Sequence, residues 1–163
     1  LLGLTVSEGN QIGTRTVLKR NPEERVGVLC KQNNKIKVIE YTELPKEIAC
    51  ITDDEGELVF GESHIMCNLF SLDAIKRAST KELEYHIAFK RADYLNENGD
   101  FIKAEKPNAY KFESFIFDSF QKLDDMAILR VNREEEFAPV KGKTGVDSVE
   151  TARELYNKYH NRS

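Results

Sequence analysis

The alternation of apolar and polar positions divides the chain into a β-rich first third and a mixed remainder. "TRTVLK" (14–19) alternates and is rich in β-branched residues, which predicts a strand. "RVGVLCKQ" (25–32) and "KIKVIEYTEL" (35–44) flank Asn33-Asn34. Asparagine tolerates positive φ, so two such runs across this pair predict a hairpin. "LLGLTV" (1–6) also reads as a strand. A chain that opens inside a strand, without a methionine, is expected to be a piece of something longer. "TDDEGEL" (52–58) is a polar turn, "SHIMCNLFSL" (63–72) a buried strand, and "DAIKRAS" (73–79) a short helix.

The pattern then changes. "KELEYHIAFKRADYL" (81–95) fits a helix that runs into a strand, and "NENGD" (96–100) is a turn. In "AYKFESFIFDSFQKL" (109–123), Phe112, Phe115, Ile116 and Phe120 fall at helical spacing, which predicts a helix with an aromatic face toward the core. "MAILRV" (126–131) predicts a buried strand and "REEEFAPVKGKTG" (133–145) a loop. "DSVETARELYNKYHN" (147–161) predicts a final helix, with Asp147 and Glu150 spaced as a capping box. Strands alternating with helices give an α/β class: one domain, a mixed sheet and flanking helices.

Composition narrows the function classes. The 163 residues suffice for one domain with a real core, and 40% hydrophobic residues fit a globular chain. A formal net charge of -4 argues against a nucleic-acid partner bound by broad phosphate neutralisation. It leaves room for a small phosphate ligand, which needs one or two local cations. No apolar run has transmembrane length, so no membrane partner is expected. Cys30, Cys50 and Cys67 are odd in number and lack C-x-x-C spacing, which fits a reducing compartment and three small buried apolar groups.

Several residues stand out chemically, each with a bland reading beside it. Gly27 inside "RVGVLC" marks a bulge or a close approach of backbone to a ligand. Glu40, between Ile39 and Tyr41, is either an outward strand residue or a carboxylate in a cleft that accepts sugar hydroxyls. His64 and Asn68 flank "IMC" in an apolar run and need partners. A lone histidine without spaced ligands gives no metal signal. Lys111 and Lys141 are ordinary surface lysines or phosphate partners; loops after strand ends are where α/β folds bind ligands.

These residues also match a known family in order and spacing. "RVGVLCKQNNKIKVIEYTEL" resembles the hairpin of eukaryotic UDP-N-acetylglucosamine pyrophosphorylases. "EKPNAYKFESFIFDSF" is similar to that family's K-P-N-[GA]-x-K-x-E-x-F-[IV]-F-D-x-F, "VNREEEFAPVKG" to its R-E-[ED]-E-F-[SA]-P-[LV]-K, and "DSVETARELY" to its D-x-x-x-T-A-R.

The resemblance implies part of a Rossmann-like nucleotidyltransferase domain that condenses UTP with N-acetylglucosamine 1-phosphate, with Mg2+ as cofactor, in the cytoplasm. It implies catalytic roles for Lys111 and Lys141 at the phosphates. It implies sugar-nucleotide contacts at Gly27, Glu40, Tyr41, Phe115 and Phe117. The family's N-I-x-N-H-[FY]-F run is replaced here by "HIMCNLF", so His64 stands at a sugar-contacting asparagine and Asn68 at the histidine. UDP-glucose or broad UDP-sugar pyrophosphorylases, or a non-catalytic fragment, remain the alternatives. The family's glycine-rich G-T-R-[LM]-G loop, its metal-binding aspartate and its small C-terminal domain have no counterpart in this sequence. The chain is therefore expected to be the later, sugar-binding half of the catalytic domain.

Overall fold

The structure, a computed structural model, describes residues 1–80, 82–123 and 125–161. The elements in chain order are α1 (Leu2–Ser7), β1 (Ile12–Leu18), β2 (Val28–Gln32), β3 (Lys35–Ile39), α2 (Lys46–Ala49), β4 (Glu62–Phe70) and α3 (Leu72–Ala78). They continue with β5 (His86–Lys90), β6 (Tyr94–Leu95), β7 (Phe101–Ile102), β8 (Ala109–Glu113), a 3-10 helix (Ile116–Lys122), β9 (Ala127–Arg130), α4 (Arg133–Glu136) and α5 (Val149–Tyr159).

The expected mixed α/β architecture is present. A five-stranded sheet runs β3-β2-β4-β1-β9, antiparallel except for the parallel β1–β9 pair. The β2–β3 hairpin turns at Asn33 and Asn34, both at positive φ (50° and 63°), as their short polar side chains allow. Alternation along β2 sends neighbouring residues to opposite sheet faces. Leu29 joins Ile12, Ile36, Val38, Phe117, Phe120 and Leu123 on one side, while Val28 packs with Leu44 and Ala49 on the other. The 3-10 helix thus lies on the sheet face that carries the larger core.

Several expectations fail for identifiable reasons. Residues 1–6 form no strand: Leu2–Ser7 is a helix whose Thr5 is buried against the sheet side of Gly13. The helix expected over 109–123 is a strand, Ala109–Glu113, followed by the 3-10 helix. The helical spacing of the aromatics is incidental, because Phe112 faces solvent while Phe117 and Phe120 enter the core. No helix precedes β5 over the described part of 81–95; Lys81 lies outside the described residues. The last helix is capped one residue later than expected. Ser148 and Thr151 form the capping box, and Asp147 sits at φ 59°, outside the helix. None of the three cysteines is buried: Cys30 and Cys67 are half-buried and Cys50 is exposed.

β5 and β8 form a separate two-stranded ribbon. Ile87, Phe89, Tyr110 and Phe112 share its exposed apolar face, and alternation puts His86, Lys111 and Glu113 on the other. No helix among the described residues is long and apolar enough to cross a membrane.

Candidate nucleotide-sugar site

Register places the first part of the site. Val28 pairs with Ile39, so Gly27 lies beside Glu40 at the end of the hairpin. The Gly27 carbonyl accepts a hydrogen bond from the His64 amide at 2.9 Å. A Cβ at Gly27 would stand 2.8 Å from Val38 Cγ1 and 3.0 Å from Glu40 Oε1. The absent side chain leaves room for Val38 and for the Glu40 carboxylate, both of which close on the Gly27 backbone. Burial pushes the Glu40 carboxyl up from its ordinary value, and the neighbouring Glu43 adds to this, against the pull of His86 and Lys141.

His64 is 5% exposed, its Nε2 lies 2.9 Å from Asn68 Oδ1, and burial pushes its pKa down, so it is neutral at pH 7. A bulge in β4 makes this contact. Thr14 and Thr16 of β1 pair with Asn68 and His64, so four steps on β4 answer two on β1. Met66, at φ 59°, takes up the slack. Thr14 Oγ1 also donates to Asn68 Oδ1 at 2.8 Å. His64 meets Phe117 edge-on at 5.7 Å, and Phe117 stacks on Phe115 with centroids 4.7 Å apart and planes 14° apart. Gly27, Glu40, His64, Asn68, Phe115 and Phe117 are thus linked in one neighbourhood.

The other predicted residues sit differently. Lys111 is half exposed and ion-paired with Glu113 at 2.7 Å. Tyr41 lines a cavity of about 270 Å3 with Lys19, Arg25 and Leu44. Lys141 Nζ donates to the Arg25 carbonyl, and its amide donates to the Asp147 carbonyl at 2.7 Å. It borders a cavity of about 340 Å3 lined also by Arg20, Asn21, Arg25 and Asp147. The segment before it is pinned in place by its charges. Arg133 pairs with Glu24, donates to the Leu18 carbonyl at 2.9 Å, and lies over the Phe137 ring at 5.1 Å. Glu136 pairs with Arg15 at 2.6 Å, and exposed Glu134 with Lys158 at 2.9 Å. The charge run is therefore a short helix, Arg133–Glu136, tied to the sheet, where a plain loop was expected.

Four residues that sequence reasoning missed complete the picture: Glu43, His86, Glu113 and Asp118. The His86 nitrogens lie 3.0 Å from Glu43 Oε1 and 2.9 Å from Asp118 Oδ2, and the ring lies 4.8 Å from Phe115. Asp118 did carry a signal: like Glu40, it is a lone acid in an apolar run. His86 carried none, since a histidine in an alternating strand looks like any polar position. No group of three or more His, Cys, Asp or Glu side chains that could hold a metal ion occurs among the described residues.

A carboxylate over bare backbone, linked through His64 to stacked aromatic rings and within range of a lysine, suits a ligand with hydroxyls, an apolar face and negative charge. Residues 1–162 match the profile of the family described as UTP--glucose-1-phosphate uridylyltransferase. The chain belongs to this family. It is similar to the human UDP-N-acetylhexosamine pyrophosphorylase-like protein 1, at 37% identity over 99% of this chain and 33% of that protein. It is also similar to the UDP-N-acetylglucosamine pyrophosphorylase of Saccharomyces cerevisiae, at 35% identity over 96% of this chain and 35% of that one. Among solved structures, the Trypanosoma brucei uridine diphosphate N-acetylglucosamine pyrophosphorylase, in complex with an inhibitor, superposes with a TM-score of 0.80. That match has 31% identity and covers 98% of this chain and 32% of that one. A UDP-glucose pyrophosphorylase from Leishmania major shares the fold, with a TM-score of 0.57 at 13% identity over 94% of this chain and 32% of that one. The chain spans about a third of the length of these uridylyltransferase-family relatives.

Proposed function

We propose that this chain is the sugar-binding part of a uridylyltransferase that forms UDP-N-acetylglucosamine and pyrophosphate from UTP and N-acetylglucosamine 1-phosphate. The observation that carries the reading is the placement of Glu40 over Gly27, whose carbonyl takes the His64 amide while the His64 ring meets Phe117 of the stacked Phe115–Phe117 pair. A carboxylate accepts hydrogen bonds from two sugar hydroxyls, and an aromatic wall takes the apolar face or the N-acetyl methyl. In this reading Phe117 walls the N-acetyl group, Tyr41 lies beside the sugar, and His64 and Asn68 back the site. Lys141 and Lys111 neutralise phosphate charge; Lys111 must first leave Glu113.

In the whole enzyme a phosphate oxygen of the sugar phosphate attacks the α-phosphorus of UTP. One P–O bond forms, the α–β bridge breaks, and pyrophosphate leaves. Positioning and charge neutralisation do most of the work in such transfers, which fits a site without an activated nucleophile. We assign Mg2+ to the whole enzyme and the cytoplasm as its compartment. No group of three or more His, Cys, Asp or Glu side chains among the described residues could hold the ion by itself, and Mg2+ is commonly bound by one or two carboxylates together with substrate phosphates. In this reading the nucleotide-loop half of the domain and the small C-terminal domain belong to the rest of the whole enzyme. The test is pyrophosphorolysis of a panel of UDP-sugars by the complete enzyme. UDP-N-acetylglucosamine is expected to be the best substrate; faster cleavage of UDP-glucose, or cleavage of none, overturns the reading.

A further inference from the structure

His86 joins three segments at the edge of the site. Its Nδ1 lies 3.0 Å from Glu43, its Nε2 2.9 Å from Asp118, and its ring 4.8 Å from Phe115. A carboxylate only accepts hydrogen bonds, so both ring nitrogens must donate, and only the imidazolium can do that. Behind Phe115 stands Phe117, stacked at 4.7 Å, so a shift of the His86 ring is passed to the aromatic wall.

We infer that His86 is the positioning residue of this site: gripped by Glu43 and Asp118, it holds the Phe115–Phe117 wall and supplies the positive charge that offsets Glu40. The inference rests on the proposed reading of Glu40 and Phe117 as sugar contacts. Its physical basis is a concentration of like charge. Glu40 and Glu43 face the ring from the segment after β3, Glu113 from β8, and Asp118 from the 3-10 helix. Lys111 on β8 is taken up by Glu113, and Lys141 acts on Glu40 from the loop before α5. Without the imidazolium, this carboxylate group would repel a sugar phosphate. Burial alone would push His86 down, but its hydrogen bonds to Glu43 and Asp118 outweigh that and hold it above its ordinary value.

The test compares the 163-residue chain with His86→Gln, which can still donate a hydrogen bond but carries no charge. Carbon-detected NMR follows the Glu40 carboxyl through a pH titration, and UDP-N-acetylglucosamine is titrated separately at several pH values. Expected is an upward shift of the Glu40 midpoint in the variant. Nucleotide-sugar binding should be severalfold weaker at neutral pH, and its alkaline fall-off through the His86 midpoint should vanish. A folded variant with an unmoved Glu40 midpoint overturns the inference, whatever the ligand does. If Glu40 moves but neither protein binds the nucleotide sugar, the positioning role stands and the proposed function fails. Should His86→Gln not fold, Asp118→Asn reads the same link. The His86 midpoint then falls and Glu40 rises in its wake; unmoved midpoints refute the role.

Discussion

Gly27→Ala tests whether the glycine exists to make room for Glu40. The added Cβ would lie 2.8 Å from Val38 Cγ1. Comfortable carbon–carbon contact begins at about 3.5 Å, so something must move by roughly 0.7 Å. Val38 is 2% exposed and β-branched, so it has no spare rotamer to swing into. The other neighbour is Glu40 Oε1 at 3.0 Å, which can move only by leaving its place over the backbone. Overpacking of this kind costs roughly 1–3 kcal/mol, and the loss of glycine's unfolded-state freedom offsets about 0.4–1 kcal/mol of it. At mid-range values the net is a destabilisation of roughly 1.3 kcal/mol, or about 3–5 °C in Tm for a chain of this size. The assay is thermal unfolding by circular dichroism, with the Glu40 carboxyl shift read by NMR. Gly3→Ala is the control, because a Cβ there meets nothing within 4 Å. It is expected not to lower Tm. A Gly27→Ala Tm within about 1 °C of the parent, with an unmoved Glu40 signal, refutes the close-approach argument.

Other expectations follow from the same geometry. Phe120→Ala removes a 1% exposed ring from the main core and should cost about 3–5 kcal/mol in urea unfolding. Arg133→Ala removes the ion-pair partner of Glu24, whose side chain is 10% exposed and keeps the Arg20 amide at 2.7 Å, and should cost about 1–3 kcal/mol, whereas Glu134→Ala at the surface should leave the urea midpoint unchanged. His64 has a lowered folded-state pKa, so the unfolded chain takes up its proton first. That term should erode stability as pH falls below about 6.5, and His64→Asn should flatten it in urea midpoints measured from pH 7 to 5. His86, with a raised pKa, contributes with the opposite sign: its stabilisation is complete below about pH 6.5 and is lost as pH rises through the folded midpoint. In the complete enzyme, Lys141→Ala should lower kcat by about a hundredfold, and a change within about twofold would return its loop to a purely structural role.

Legibility followed how local each determinant is. The β2–β3 hairpin was readable because two-residue alternation and a pair of asparagines act within a dozen residues. The segment 109–123 was misread because its aromatics satisfy a helical period by coincidence. Which of them is buried depends on the sheet beneath Phe117 and Phe120, set by distant strands. The cap of α5 slipped by one residue because Asp147 takes a positive φ instead, its carbonyl receiving the Lys141 amide. Glu40, Phe115 and Phe117 were nominated through motif resemblance, and the structure links them in one neighbourhood through Gly27 and His64. His86 was not, since its meaning lies in Glu43 and Asp118, 43 and 32 positions away.

The central claim is that Gly27, Glu40, Phe115 and Phe117 form one nucleotide-sugar surface. Amide and aromatic chemical-shift mapping of the 163-residue chain against UDP-N-acetylglucosamine tests it most directly. The expected result is a set of saturable shifts centred on Gly27, Glu40, Phe115, Phe117 and Lys141, abolished by Glu40→Ala. Saturable shifts that cluster elsewhere and leave these residues still, or that survive Glu40→Ala unchanged, would contradict it.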